Sequence, residues 1–174
     1  AALACEINGK VTELSSSLKD GDELKPLTFA DEEGRKVFWH TTSHVLAQAV
    51  KRLYPEVKLA IGPAIETGFY YDFDTDTPFT PEMLDNIEGE MKKIVKEGLK
   101  LERFVLSRNE ALELMKDEPY KTELINELGS SAEISFYKQG DFTDLCAGPH
   151  LFDVSKIKAI KLLSATGAYW RGDS

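Results

Sequence analysis

FWHTTSHVLAQAV, residues 38–50, holds two of the chain's three histidines, His40 and His44, inside a helical pattern. The pattern predicts a helix from about Val37 to Tyr54, stopped by Pro55. At about 100° per residue, Phe38, Val45, Leu46, Ala49, Val50 and Leu53 gather on one face. His40 and His44 fall on nearly the opposite face, with Ala47 and Lys51. An amphipathic helix of this kind needs a surface to pack on, and the histidine face then lines either solvent or a site. A pair one turn apart, matched by His150 in DLCAGPH, favours the site.

That surface is expected to be a sheet. Asn8-Gly9 in CEINGKVTE is a tight-hairpin signal, and DELKPLTF after a KDGD turn reads as another strand. ADEEGRK, residues 30–36, reads as a linker. KLAIGP and GFYYDFD look like two strands joined by a turn from Gly62 to Gly68, their aromatic stripe of Phe69, Tyr71 and Phe73 facing a core. Thr80 with Pro81 opens a long helix that runs to Gly98. LERFVLS is a strand, Ser107 and Glu110 make a capping box, and PYKTELINEL is a short helix. EISFYKQ and KAIKLLSA are the remaining predicted strands. The order specifies an α+β fold with a mostly antiparallel sheet packed with helices.

Composition narrows the function. Lys plus Arg number 21 against 30 Asp plus Glu, a net charge of −9, which argues against a sequence-independent grip on a long nucleic-acid backbone. Holding one nucleotide end in a pocket is compatible with that charge. No apolar run is long enough to span a membrane, and there is no signal-peptide pattern. Of the two cysteines, Cys5 and Cys146, the second has a histidine four residues on; a reduced thiol in a cytoplasmic setting is expected rather than a disulfide. The chain opens on AALACEING without methionine and stops after GAYWRGDS, and is expected to be a fragment of something longer.

The chemistry concentrates in H-x-x-x-H and D-x-C-x-x-x-H. His40 and His44 project together from one helix turn. Cys146 and His150 share a spacing of four, but Gly148-Pro149 between them places them on a loop, with Asp144 just before. Two histidines, a thiol, a third histidine and a carboxylate suit a tetrahedral zinc site. They suit equally a metal-free hydrolase in which imidazoles move protons and place a water. Spacing alone leaves both open.

HTTSHVLAQAVKRLYP, AIGPAIETGFYYDFD, DLCAGPH and TGAYWRGDS resemble the second N-terminal domain of the bacterial threonyl-tRNA synthetase family, and EINGKVTELSSSL resembles the back half of its TGS domain. The resemblance implies residues 1–30 as the tail of a TGS-like β-grasp unit and 31–174 as an editing domain. It implies hydrolysis of serine wrongly esterified to tRNA(Thr), with the serine-bearing 3′ end as partner and no membrane. His40, His44, Asp144, Cys146 and His150 would line the pocket, and Lys121 would place or activate the water. Tyr137 and the backbone of Ala60, Ile61 and Gly62 would bracket the terminal adenosine and seryl group. By residue type alone, Lys121 reads as a surface lysine and Tyr137 as core. The resemblance implies no metal and no cofactor for editing. ATP, magnesium and zinc would serve only a synthetic domain absent from this chain, whose parent would be a homodimer. The rival readings are a zinc-binding editing domain of the alanyl-tRNA synthetase kind and a non-catalytic, zinc-stabilised RNA- or protein-binding module.

Overall fold

The computed structural model describes residues 1–168; Tyr169 to Ser174, the last six residues of the TGAYWRGDS motif, lie outside the described residues. Three short strands come first: β1 (Ala4–Ile7), β2 (Lys10–Thr12) and β3 (Leu24–Leu27), antiparallel in the order β2-β1-β3. Asn8 (φ 52°) and Gly9 (φ 81°) supply the two positive φ values that the β1–β2 turn demands. Ala4 and Leu27 are buried in the main core, so this sheet packs on the rest of the chain.

Helix α1 (Glu32–Leu53) starts inside the segment expected to be a linker. Asp31 accepts the Thr28 N–H at 2.8 Å, which fixes the turn out of β3, and Glu32 and Glu33 suit the positive end of the helix. Gly34 is required there, since a Cβ would lie 2.1 Å from the Thr28 carbonyl oxygen. The two-faced picture of α1 also needs correction. Every residue from Thr41 to Val50 is buried, the Ala47 of the expected polar face included. The polar face is turned toward protein, not water.

The strand pair expected over residues 58–74 is a hairpin broken into four two-residue pieces: β4 (Lys58–Leu59), β5 (Ala64–Ile65), β6 (Gly68–Phe69) and β7 (Phe73–Asp74). β4 pairs with β7 and β5 with β6, and between them Ala60 N–H donates to the Asp72 carbonyl and Asp72 N–H to that of Ile61. Helix α2 (Pro81–Glu97) is bounded as its sequence predicts. Thr80 Oγ1 accepts the Met83 N–H, and Gly98 closes the helix at φ 63°. Its Ile87, Met91 and Ile94, spaced for one helical stripe, are buried in the same core as α1.

The main sheet follows. Strand β8 (Glu102–Leu106) leads through the Ser107–Glu110 capping box into α3 (Arg108–Leu114), then α4 (Pro119–Glu127). β9 (Ile134–Gln139) and β10 (Phe142–Leu145) complete an antiparallel sheet in the order β10-β9-β8. β10 is not legible in the sequence, because a four-residue strand carrying Thr143 and Asp144 has no apolar alternation. Conversely, KAIKLLSA forms no strand. Ile160 and Leu162 pack on the core, but the Leu162 N–H goes to the Glu88 carboxylate of α2, and Leu163 is 87% exposed. The α+β class holds, with every ladder antiparallel among the described residues.

Candidate functional site

The buried polar side of α1 meets β10 and the loop that follows it. Cys146 is tied to the edge of β9 through its N–H to the Ser135 carbonyl and its own carbonyl to Ser135 Oγ. The Gly148-Pro149 bond is cis, and Gly148 has φ 75° with its N–H on Cys146 Sγ at 3.3 Å. This tight loop returns His150 toward α1. Cys146 Sγ lies 3.3 Å from His40 Nε2 and 3.1 Å from His150 Nε2. The His40 and His150 rings stack at 4.2 Å between centroids, and His44 meets His150 edge-on at 4.3 Å.

Thr41 sets the His150 ring. Its Oγ1 accepts the Leu151 N–H at 3.0 Å and sits 2.9 Å from His150 Nδ1. The Thr41 hydroxyl, with one proton and two acceptor lone pairs, can bond Nδ1 in either tautomer, so the contact fixes the orientation of the ring. His44 Nδ1 is buried without a hydrogen-bond partner among the described residues, an orphan that suits a bound group.

Beside the histidines lies a buried ion pair. Lys121 shares the buried face of α4 with Ile125, so it is not a surface lysine; at 3% exposure its ammonium sits 2.9 Å from Asp144 Oδ1 and 2.9 Å from the Tyr71 hydroxyl. Tyr71 donates to Asp144 Oδ2 at 2.7 Å, and His44 Nε2 is 4.0 Å from that oxygen. Glu118, at the start of α4, caps nothing; instead its carboxylate takes the Leu59 N–H and pairs with Lys51. That anchors α4 to β4 and α1, and with it the starting point of the Lys121 side chain.

Burial dominates the electrostatics. It pushes His44 down to about 3, His150 well below the imidazole range and His40 below its usual value, the last against a hydrogen bond to the Pro149 carbonyl. Burial also pushes the Cys146 thiol up to about 12. For Asp144 burial acts to raise the carboxyl, but Lys121 first, then His44 and the Tyr71 bond, outweigh it and hold the group below the usual carboxylate range. At neutral pH the site is one ion pair set among neutral imidazoles and a neutral thiol.

The six residues expected to line the pocket, His40, His44, Lys121, Asp144, Cys146 and His150, thus come together from α1, α4, β10 and the following loop. Tyr137 joins them from behind: 1% exposed, it edges onto His150 at 4.4 Å, and its hydroxyl donates to Glu13. The wall of Ala60, Ile61 and Gly62 is tied to α1 by Ser43 Oγ, which donates to the Gly62 carbonyl at 2.7 Å; Ala60 is buried and Ile61 is 38% exposed. Sequence reasoning misses Tyr71 and Thr41. Tyr71 is absorbed there into the aromatic stripe, although a buried tyrosine hydroxyl demands a partner, and that is its available signal. Thr41 carries none beyond its place next to His40.

The donor set can also hold a metal. The ligand atoms of His40, His44, Cys146 and His150 all lie within 4.8 Å of one another, and their types fit zinc. With all four donors on the ion, no coordination position would remain for water, so such a zinc would stabilise rather than catalyse.

Residues 134–174, which contain β9, β10, Cys146 and His150, match the family described as threonyl and alanyl tRNA synthetase second additional domain. Over essentially its whole length it is similar to threonine–tRNA ligases. It is 67% identical to that of Clostridium tetani, 63% to that of Caldanaerobacter subterraneus subsp. tengcongensis and 62% to that of Acetivibrio thermocellus, with 99% of this chain and 27% of each relative covered. The chain therefore spans about a quarter of the length of these relatives. No helix among the described residues is long and apolar enough to cross a membrane.

Proposed function

We propose that this chain is a proofreading hydrolase that removes serine wrongly esterified to the 3′ end of tRNA(Thr). The observation that carries the reading is the Lys121–Asp144–Tyr71 cluster set against three neutral imidazoles, an arrangement able to hold a water and move its proton. The relatives' name, threonine–tRNA ligase, supplies the substrate class. A synthetic pocket shaped for threonine excludes serine poorly, because one missing methyl is worth only about 1–3 kcal/mol, so a second, hydrolytic sieve is needed. In this reading residues 1–30 are the tail of a TGS-like unit and 31–174 the editing domain. Aminoacylation with ATP, magnesium and zinc, and homodimer formation, would belong to other parts of such a ligase, in the cytoplasm.

His40 is the partly exposed imidazole of the three, so the ester would approach from its side, with the ribose and seryl group against His40, His44 and His150. Ile61 and its neighbours would border the terminal nucleotide, and Tyr137 would support the pocket from behind. Lys121 and His40 would hold the attacking water. Its oxygen adds to the ester carbonyl carbon, the bond to the ribose oxygen breaks, and His40 passes the water's proton to that oxygen as serine leaves. Asp144 fixes Lys121 and, with Cys146, faces the serine side chain and amine, where a threonine methyl would not fit. A Cys146 nucleophile is disfavoured, because the thiolate is the reactive form and burial opposes it.

The test is single-turnover deacylation of Ser-tRNA(Thr) against Thr-tRNA(Thr) by the 174-residue chain. Selective loss of serine is expected, abolished by His40→Ala and by Lys121→Ala. Equal or no hydrolysis of both esters refutes the reading, and a trapped seryl–Cys146 adduct refutes the water route. The close His/Cys donors favour one alternative, a zinc-stabilised binding module without catalysis. Stoichiometric zinc surviving gel filtration, together with inert Ser-tRNA, would establish it.

A further inference from the structure

We propose that Glu13 is a positioning residue for this site, acting from the N-terminal sheet through Tyr137 on His150. It rests on the hydrolase reading for its kinetic consequence, but not for its geometry. Glu13 directly follows β2, and its backbone is held: its carbonyl accepts the Ser16 N–H at 3.1 Å and the Cys5 thiol at 3.6 Å. From there its carboxylate takes the hydroxyl of Tyr137, 124 residues further along the chain.

Tyr137 connects to both halves of the site. Its ring edges onto His150, whose Nε2 is 3.1 Å from Cys146 Sγ. Its backbone stands opposite Asp144 in the β9–β10 ladder. Its hydroxyl occupies the space over Gly148, where a Cβ would lie 2.0 Å from the oxygen. The phenol therefore fills the gap between Glu13 and the loop that carries Cys146 and His150. Burial and the neighbouring carboxylate keep that phenol protonated, so it remains a donor. A buried hydroxyl stripped of its acceptor must turn or draw in water, and either response tilts the ring that His150 rests on. Glu13 thereby sets the His150 imidazole without touching it.

A mere staple between the N-terminal sheet and the rest would alter stability and nothing else, and the test separates the two. In the full chain, Glu13→Ala should lower the single-turnover rate of Ser-tRNA hydrolysis about tenfold, equivalent to about 1.4 kcal/mol, and leave the half-saturating concentration within about twofold. Glu13→Gln, which keeps an acceptor oxygen, should restore the rate. Tyr137→Phe should match Glu13→Ala, and the double variant should be no slower than either single, because both remove one bond. The His150 ring-proton resonances should shift in Glu13→Ala and Tyr137→Phe and stay in place in Glu13→Gln. Unmoved His150 resonances in Glu13→Ala, or rate losses that simply add, overturn the proposal. If the wild-type chain leaves Ser-tRNA intact, the hydrolase reading fails, and the resonances alone still decide whether Glu13 positions His150. If Glu13→Ala fails to fold, Tyr137→Phe and Glu13→Gln decide the same question.

Discussion

Lys121→Ala is the sharpest perturbation of this fold. The Lys121 and Asp144 side chains are 4% and 2% exposed and 2.9 Å apart. Truncation leaves a buried carboxylate with the Tyr71 hydroxyl as its bonded donor and no cation. Breaking such a pair costs about 3–5 kcal/mol, because the orphaned charge stays desolvated. In a chain of this size each kcal/mol is worth roughly 2–4 °C in Tm, so a fall of about 6–20 °C is expected.

The pH dependence carries the more specific signature. In the wild type Asp144 is depressed, so its contribution is present above the unfolded carboxyl value and lost as pH falls through the folded value. Without Lys121, the largest influence lowering it, burial prevails and the folded value rises above the unfolded one. The sign inverts: the variant is favoured by protonation, and its deficit against wild type shrinks on acidification. Urea denaturation followed by circular dichroism at about pH 7 and pH 4.5 measures both quantities. Lys121→Met with Asp144→Leu, which removes both charges at similar volume, should be more stable than Lys121→Ala. A deficit under about 1 kcal/mol at neutral pH, equal at both pH values, would refute the buried-pair account.

Gly148→Ala should destabilise by about 1–2 kcal/mol from its φ of 75° alone and more from the collision with Tyr137, read as a lower urea midpoint; a neutral substitution would mean the loop is not held as described. Thr80→Ala should cost about 1 kcal/mol through the lost α2 cap while leaving deacylation unchanged, so a slower reaction would link α2 to the site. His40, His44 and His150 are all held below their unfolded values, so the unfolded chain binds more protons below about pH 6.5. Stability should therefore fall as pH drops through that value, with a slope of up to about 4 kcal/mol per pH unit. NMR titration should find His44 neutral at pH 5; a midpoint near 6.5 would contradict its burial.

The sequence by itself determined what short-range chemistry controls. Asn8-Gly9 dictated a hairpin, Thr80 with Pro81 and Gly98 bounded α2, and Ser107 with Glu110 opened α3, because each acts on the backbone within a few residues of itself, through positive φ in the turn and at the end of α2 and through capped N–H groups at the helix starts. The His40–His44 spacing and the DLCAGPH segment marked side chains that cluster in the fold, since one helical turn and one tight loop decide which way they point. Tertiary structure decided the rest. Helical periodicity reports which side of α1 is apolar, but not that its polar side also meets protein, so the burial of His44 and Ala47 was invisible. KAIKLLSA has strand-like composition, yet a strand needs a neighbour for its N–H groups, and that of Leu162 finds Glu88 instead. Lys121 looks like a surface lysine and Tyr71 like core until α4, the broken hairpin and β10 bring their polar tips to Asp144. An ion pair 2.9 Å across between residues on separate elements is a property of the packed core, whose low polarity gives the pair its strength, and no window along the chain contains it.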